Sequence, residues 1–217
     1  MNIEQARFNM IEQQIRPWDV LDAGVLSLLA MVRREDFVPA AHKALAFVDT
    51  EVPLGHGQVM LAPRVEARLL QEAHVQRHER VLEVGAGSGF MAALLAHRAQ
   101  SVIALEKLPA LAQLATANLR RAGVLNASVR EQDGAKGLPG DAPFDVIMLS
   151  GSVAEVPQVL LDQLKVGGRL LAIVGQEPVM RAVRITRLSE TALQTEELFD
   201  TVAPRLQGFA EPAHFAF

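Results

Sequence analysis

Apolar residues at Ile3, Ala6, Met10, Ile11 and Ile15 recur at helical spacing until Pro17, and Leu21, Val25, Leu28, Leu29 and Val32 repeat that spacing after Asp19 and Asp22. Two amphipathic helices are expected to open the chain. From Phe37 to Pro63 the periodicity is lost, and Pro39, Pro53, Gly55, Gly57 and Pro63 punctuate the sequence, so an irregular segment is expected. Irregular segments of that length usually have a task. A helix follows over residues 64–74. Beyond it, short apolar runs at 80–84, 101–105, 127–131, 144–149 and 169–174 read as strands, separated by helical patterns at 90–97, 108–122 and 155–164. The stretch 181–199 reads as an antiparallel hairpin finishing the sheet. This alternation predicts an α/β fold: a Rossmann-like, doubly wound, mostly parallel sheet of about seven strands with right-handed crossovers, a C-terminal hairpin and an N-terminal helical extension.

A chain of 217 residues, 50% of them apolar, is long enough for one sizeable core. A single domain is expected, with residues 1–75 as a helical and substrate-loop region and 76–217 as a cofactor-binding sheet. The formal charge of −4 leaves no global positive field for a phosphate backbone, which argues against nucleic acid as a partner. No run approaches the roughly 18 apolar residues of a membrane helix. Glu4 and Arg7 stand where an export signal would be apolar, so a soluble, cytoplasmic protein is expected. The absence of cysteine excludes disulfides, thiolate metal sites and cysteine nucleophiles.

The segment VLEVGAGSGF, residues 81–90, places Gly85, Gly87 and Gly89 where the first strand of the sheet should turn into its helix. That is where an open parallel sheet forms its ligand crevice, and glycines let backbone amides approach a ligand closely. The spacing is G-x-G-x-G. The dinucleotide fingerprint would need glycine at position 90, which is Phe90. Glu83 precedes the loop, Glu106 ends the second strand where a carboxylate can accept from ribose hydroxyls, and Asp133-Gly134 follows the third. An acid beside the loop would repel a phosphate and favour a cation. S-adenosyl-L-methionine, a nucleoside joined to a sulfonium, therefore fits better than NAD or ATP. Glu83, Gly85, Gly87, Ser88, Gly89, Glu106, Asp133 and Gly134 are the expected cofactor-binding residues. Taken singly, Glu106 also reads as a helix-start acid and Asp133-Gly134 as an ordinary turn.

These residues, with PFDVIML at 143–149 and LKVGGRLL at 164–171, resemble the successive motifs of class I S-adenosylmethionine-dependent methyltransferases. RREDFVP at 33–39, Ala46-Phe47-Val48-Asp49, and PLGHGQ at 53–58 followed by Pro63 are similar to the N-terminal signature of the protein-L-isoaspartate O-methyltransferase family. The resemblance implies an O-methyltransferase acting on the carboxylate of L-isoaspartyl residues in damaged proteins. It also implies a substrate loop at His56, Gln58, Val59, Met60 and Leu61. In the family, the stretch before Pro63 carries hydroxyl residues in a pattern like T-I-S-x-P, the serine being an active-site residue. Here those hydroxyl positions are Val59 and Leu61, so no catalytic residue is assigned.

Methyl transfer to a carboxylate asks little of a protein, because the ionised acceptor is already a nucleophile and what remains is positioning and exclusion of water. The apolar Val59 and Leu61 equally suit a small-molecule acceptor or a modified peptide, and a cofactor-binding protein without turnover is a third reading. No metal is expected: His74 and His78 are four apart, but no third ligand is evident. Arg33-Arg34 and Arg120-Arg121 read as solvated helix ends, and Trp18 and Phe8 as core anchors. Ser150 and Ser152 read either as acceptor-facing residues or as a cap for the helix near Glu155. Residues 201–217 carry no motif.

Overall fold

The computed structural model describes residues 2–211. Asn2 caps α1 (Ile3–Met10) by accepting from the Glu4 and Gln5 amides, and the helical path continues through a π turn, Ile11–Ile15, and a 3-10 turn, Arg16–Trp18. Asp22 caps α2 (Ala23–Met31) through the Val25 amide. Met10, Ile11, Ile15, Val25, Leu28 and Leu29 bury as the periodicity requires, whereas Ile3 and Leu21 are exposed. Phe8 corrects expectation: its ring faces solvent, because its turn of α1 has nothing packed against it on that side. Trp18 is half-buried, edge-on to Phe199 at 6.3 Å and covered by the Arg64 guanidinium at 4.1 Å.

The irregular segment holds more structure than its punctuation announces. A 3-10 stretch, Ala40–Leu45, leads to a two-stranded hairpin of β1 (Val52–Gly55) and β2 (Gln58–Met60). Strands this short carry too few alternations to be read from sequence. Pro63 then starts α3 (Pro63–Ala73) at a position that needs no amide donor. This helix ends with His74 in the left-handed region, so His74 and His78 do not share a helix face.

The main sheet comprises β3 (Arg80–Val84), β4 (Ser101–Glu106), β5 (Ala127–Glu131), β6 (Phe144–Val153), β7 (Leu164–Gln176), β8 (Val179–Arg187) and β9 (Leu193–Asp200) in the order β5-β4-β3-β6-β7-β8-β9. Strands β5 through β7 run parallel, and β8 and β9 are antiparallel, as expected of the hairpin. The crossovers carry α4 (Phe90–Ala96), α5 (Pro109–Arg121) and α6 (Gln158–Leu161). The helix expected over 155–164 shrinks to α6, because Pro157 delays its start and Leu164 already pairs in β7. The period of two divides the core: Val81, Val102, Val146 and Met148 join the helices α1 to α5 on one face, and Leu82, Leu105, Ile147 and Leu149 join the short segments on the other. Strand order reverses at β3, so the rim between β3 and β6 opens a crevice at their carboxyl ends.

Candidate active site

Alternation along β3 turns Glu83 to the same face as Val81, towards α3 and α4, where it is fully buried. Ser150, at the corresponding end of β6, donates its hydroxyl to Glu83 Oε1 at 2.7 Å; Oε2 has no partner among the described residues. Ser150 and Ser152 therefore belong to an extended β6 and cap no helix. Burial pushes the Glu83 carboxyl up to about 8; the Ser150 hydrogen bond opposes this, and the charges of Glu66 and Glu106 reinforce it. A buried carboxyl left half-unpaired is costly unless something arrives to use it.

The glycine loop turns as its spacing requires. Gly89 (φ 83°) packs so closely on α5 that a Cβ would lie 3.1 Å from the Ala115 carbonyl oxygen. Gly85 (φ 89°) would push a Cβ to 2.6 Å from Leu206 Cδ2. Ser88 is buried, with its carbonyl accepting from Asn118 Nδ2 at 2.8 Å. Glu106 binds the loop itself: Oε2 accepts from the Gly87 amide at 2.9 Å and Oε1 from the Leu108 amide at 3.0 Å. Glu106 thus also serves the start of α5, and it lines the crevice together with Gln58 and Lys107. Asp133 accepts from Lys107 Nζ at 2.7 Å and from the Ala135 amide at 3.0 Å, and these hydrogen bonds hold its carboxyl below the usual range. It stays at the exposed edge of the rim, while Gly134 packs inward against Val84.

The substrate loop divides. His56 occupies the exposed tip of the β1–β2 hairpin at φ 55°, outside the crevice, because the glycines on either side project the turn into solvent. Gln58 lines the Glu106 side of the rim, and Val59, Met60 and Leu61 line the Glu83 side. Position 61 leads to a residue that its position in a basic pair concealed. Arg34 is no solvated helix end: it is 1% exposed, paired with Glu66 of α3, donates Nη2 to the Leu61 carbonyl at 2.7 Å, and lies 5.1 Å from the centre of the Phe90 ring. Arg33, Arg120 and Arg121 are exposed as expected.

Residues 203–208, which no motif foretold, close the crevice. The Ser152 amide donates to the Pro204 carbonyl at 2.8 Å and the Leu206 amide to the Ser152 carbonyl at 2.9 Å, which lays Leu206 over Gly85 and Gly151. A cavity of about 30 Å³ lies against Leu206 and Gln207 on the Glu106 side, and another of about 20 Å³ on the Glu83 side. Each has room for a water or two. The carboxylates lining them fit a cationic nucleoside, and Leu206 and Gln207 line the cavity on the Glu106 side. Protection of the Leu206 amide in hydrogen exchange is therefore expected to change when ligand binds. A wider groove of about 570 Å³ between α5 and β5 has an apolar floor of Ala112, Ala117 and Val129, rimmed by Gln113, Arg120, Arg121 and Glu131.

Residues 5–202 match the family model of protein-L-isoaspartate(D-aspartate) O-methyltransferase. The chain belongs to this family. It is 40% identical over 195 residues to protein-L-isoaspartate O-methyltransferase 1 of Rhodopseudomonas palustris, covering 89% of this chain and 80% of that one. The enzyme of Methanoculleus marisnigri is also 40% identical, over 181 residues, with 83% and 82% covered. A Plasmodium falciparum protein-L-isoaspartate O-methyltransferase solved with S-adenosyl-L-homocysteine superposes with a TM-score of 0.79 at 21% identity, over 95% of this chain and 99% of that one. The likeness shows a shared fold over nearly the whole of both chains.

Proposed function

We propose that the protein transfers a methyl group from S-adenosyl-L-methionine to the carboxylate of L-isoaspartyl residues in proteins. The observation that carries this reading is the buried, half-unpaired Glu83 carboxyl beside a positive-φ glycine loop, a poor phosphate site and a good one for a cation. Glu83, Glu106 and the loop Gly85–Gly89 would hold the cofactor, with Asp133 and Gly134 at its outer edge. When bound, the cofactor supplies a methyl group on a positively charged sulfur that departs as a neutral thioether.

The protein's own share is orientation. A carboxylate needs no base, so the crevice has to align an oxygen with the methyl group and keep water out. Leu206 and the apolar Val59, Met60 and Leu61 supply the dry wall, and the Arg34 hydrogen bond to the Leu61 carbonyl fixes the loop that forms it. Specificity for the acceptor then rests on backbone amides and Gln58, since Val59 and Leu61 offer no hydroxyl.

The test is incubation with methyl-labelled cofactor and an isoaspartyl peptide, with the aspartyl isomer as control. Base-labile label in the isoaspartyl peptide alone is the expected result. Label entering only lysate small molecules would favour a different acceptor, as the apolar wall permits, and no transfer at all would leave a binding protein. Leu61→Ser should raise kcat/KM for the isoaspartyl peptide about tenfold, the worth of one hydrogen bond to a charged group. Glu106→Ala should weaken cofactor affinity by about 1.5–3 kcal/mol, measured by calorimetry.

A further inference from the structure

Strand β5 ends the main sheet and pairs with β4 alone among the described residues. The Val102 amide donates to the Asn126 carbonyl at 2.8 Å and the Gln132 amide to the Glu106 carbonyl at 2.9 Å, so the even-numbered positions turn their backbone groups towards β4. Alternation then points the amides and carbonyls of Ala127, Val129 and Glu131 away from the sheet, as an open edge. Beside this edge runs the groove of about 570 Å³ under α5, floored by Ala112, Ala117 and Val129. Two charges mark its opposite ends. Arg120 stands in the last turn of α5, from which the chain turns into the start of β5, and Glu131 closes β5. Both are exposed, and neither joins an ion pair among the described residues. Their neighbours are already committed: Arg121 to Asn118 and the Asp36 carbonyl, and Arg130 to Asp141.

We infer that this edge binds a second copy of the chain, the two β5 strands running antiparallel about a twofold axis at Val129. In that register the two Val129 residues exchange both backbone hydrogen bonds, and Ala127 of each copy pairs with Glu131 of the other, so every outward amide and carbonyl finds a partner. The two α5 helices then lie antiparallel on one face of a continuous sheet and cover both apolar floors, with the small Thr116 and Ala117 at mid-helix permitting a close approach. The charges complete the match. Each Glu131 arrives at the strand start of the other copy, the end of the groove where Arg120 stands, and no two like charges are set opposite each other. A strand of unrelated sequence would satisfy the backbone without this reciprocal pairing, and a small apolar molecule would cover the floor and leave the edge amides open. The inference is independent of the function proposed above.

Sedimentation equilibrium of the full chain at rising concentration tests it, and a monomer–dimer equilibrium is the expected result. Glu131→Arg sets arginine against arginine at both ends of the interface and should weaken the dimer about tenfold or more. Arg120→Glu should do the same with acids, and the two substitutions combined should restore the parent's dimer. That restoration separates a lost contact from a damaged fold. Ala127→Pro removes an outward amide at the first residue of the strand, spares the β4 ladder, and should also weaken the dimer. A monomer at every concentration would overturn the inference, as would a dimer that ignores the single charge reversals or is not restored by combining them.

Discussion

Arg34→Ala is expected to lower stability by about 3–5 kcal/mol, because it leaves the Glu66 carboxylate buried without its partner. The Leu61 carbonyl loses its donor at the same time, and Phe90 loses the cation over its ring. For a chain of this size such a loss corresponds to a fall of roughly 10 °C or more in the thermal midpoint. Exposed Arg33→Ala should leave the midpoint within about 1 °C, since surface substitutions seldom exceed half a kilocalorie. Replacing both partners, Arg34→Met with Glu66→Met, should recover most of the stability, because an apolar pair of similar volume leaves no stranded charge. Calorimetric scans of the four proteins check the prediction. A single substitution as harmless as Arg33→Ala would mean that Arg34 does not fasten the loop to α3.

Glu83→Gln should have opposite effects on stability and on binding. The carboxyl is held at about 8 in the folded protein against an ordinary 4.5, so across that interval the folded chain holds more protons than the unfolded one. Stability therefore falls as pH rises from the lower value through the upper. Glutamine removes this dependence. The variant should be more stable than the parent at pH 8 by about 1–3 kcal/mol, the cost of an unpaired buried polar group, and the advantage should vanish near pH 5. Cofactor affinity should fall about a hundredfold in the variant, as expected for a lost hydrogen bond to a charged partner. In the parent, affinity should improve as pH rises from 6 towards 8, because less free energy is needed to ionise Glu83. Thermal scans at both pH values and titration calorimetry would settle each part; unchanged affinity would mean that the acid does not touch the ligand.

The contrast between Glu83 and Arg34 shows what the sequence could convey. Glu83, Glu106 and Asp133 were legible because strand ends and glycine turns are local features, and a parallel sheet brings successive strand ends to one rim. The same locality exposed the hairpin β8–β9. Glu66 and Arg34 were not legible. Their roles depend on α3 packing against the segment before Phe37, a long-range contact, and in sequence each is an ordinary charge on a helical or basic stretch. Ser150 reads equally as a helix cap in the sequence, and only the extension of β6 through Val153 excludes the cap. Leu206 carried no signal, since an isolated leucine among Pro204, Arg205 and Gln207 shows no period. His56 misled for the opposite reason: flanking glycines promise conformational freedom near a site, and here they carry the imidazole away from it.

Titration of the purified protein with S-adenosyl-L-homocysteine, in parallel with ATP and NAD, tests the central claim most directly. The account predicts one molecule bound per chain in the micromolar range, stronger at pH 8 than at pH 6, with neither phosphate-bearing nucleotide competing. Absence of binding at millimolar ligand, or displacement by ATP or NAD, would contradict it.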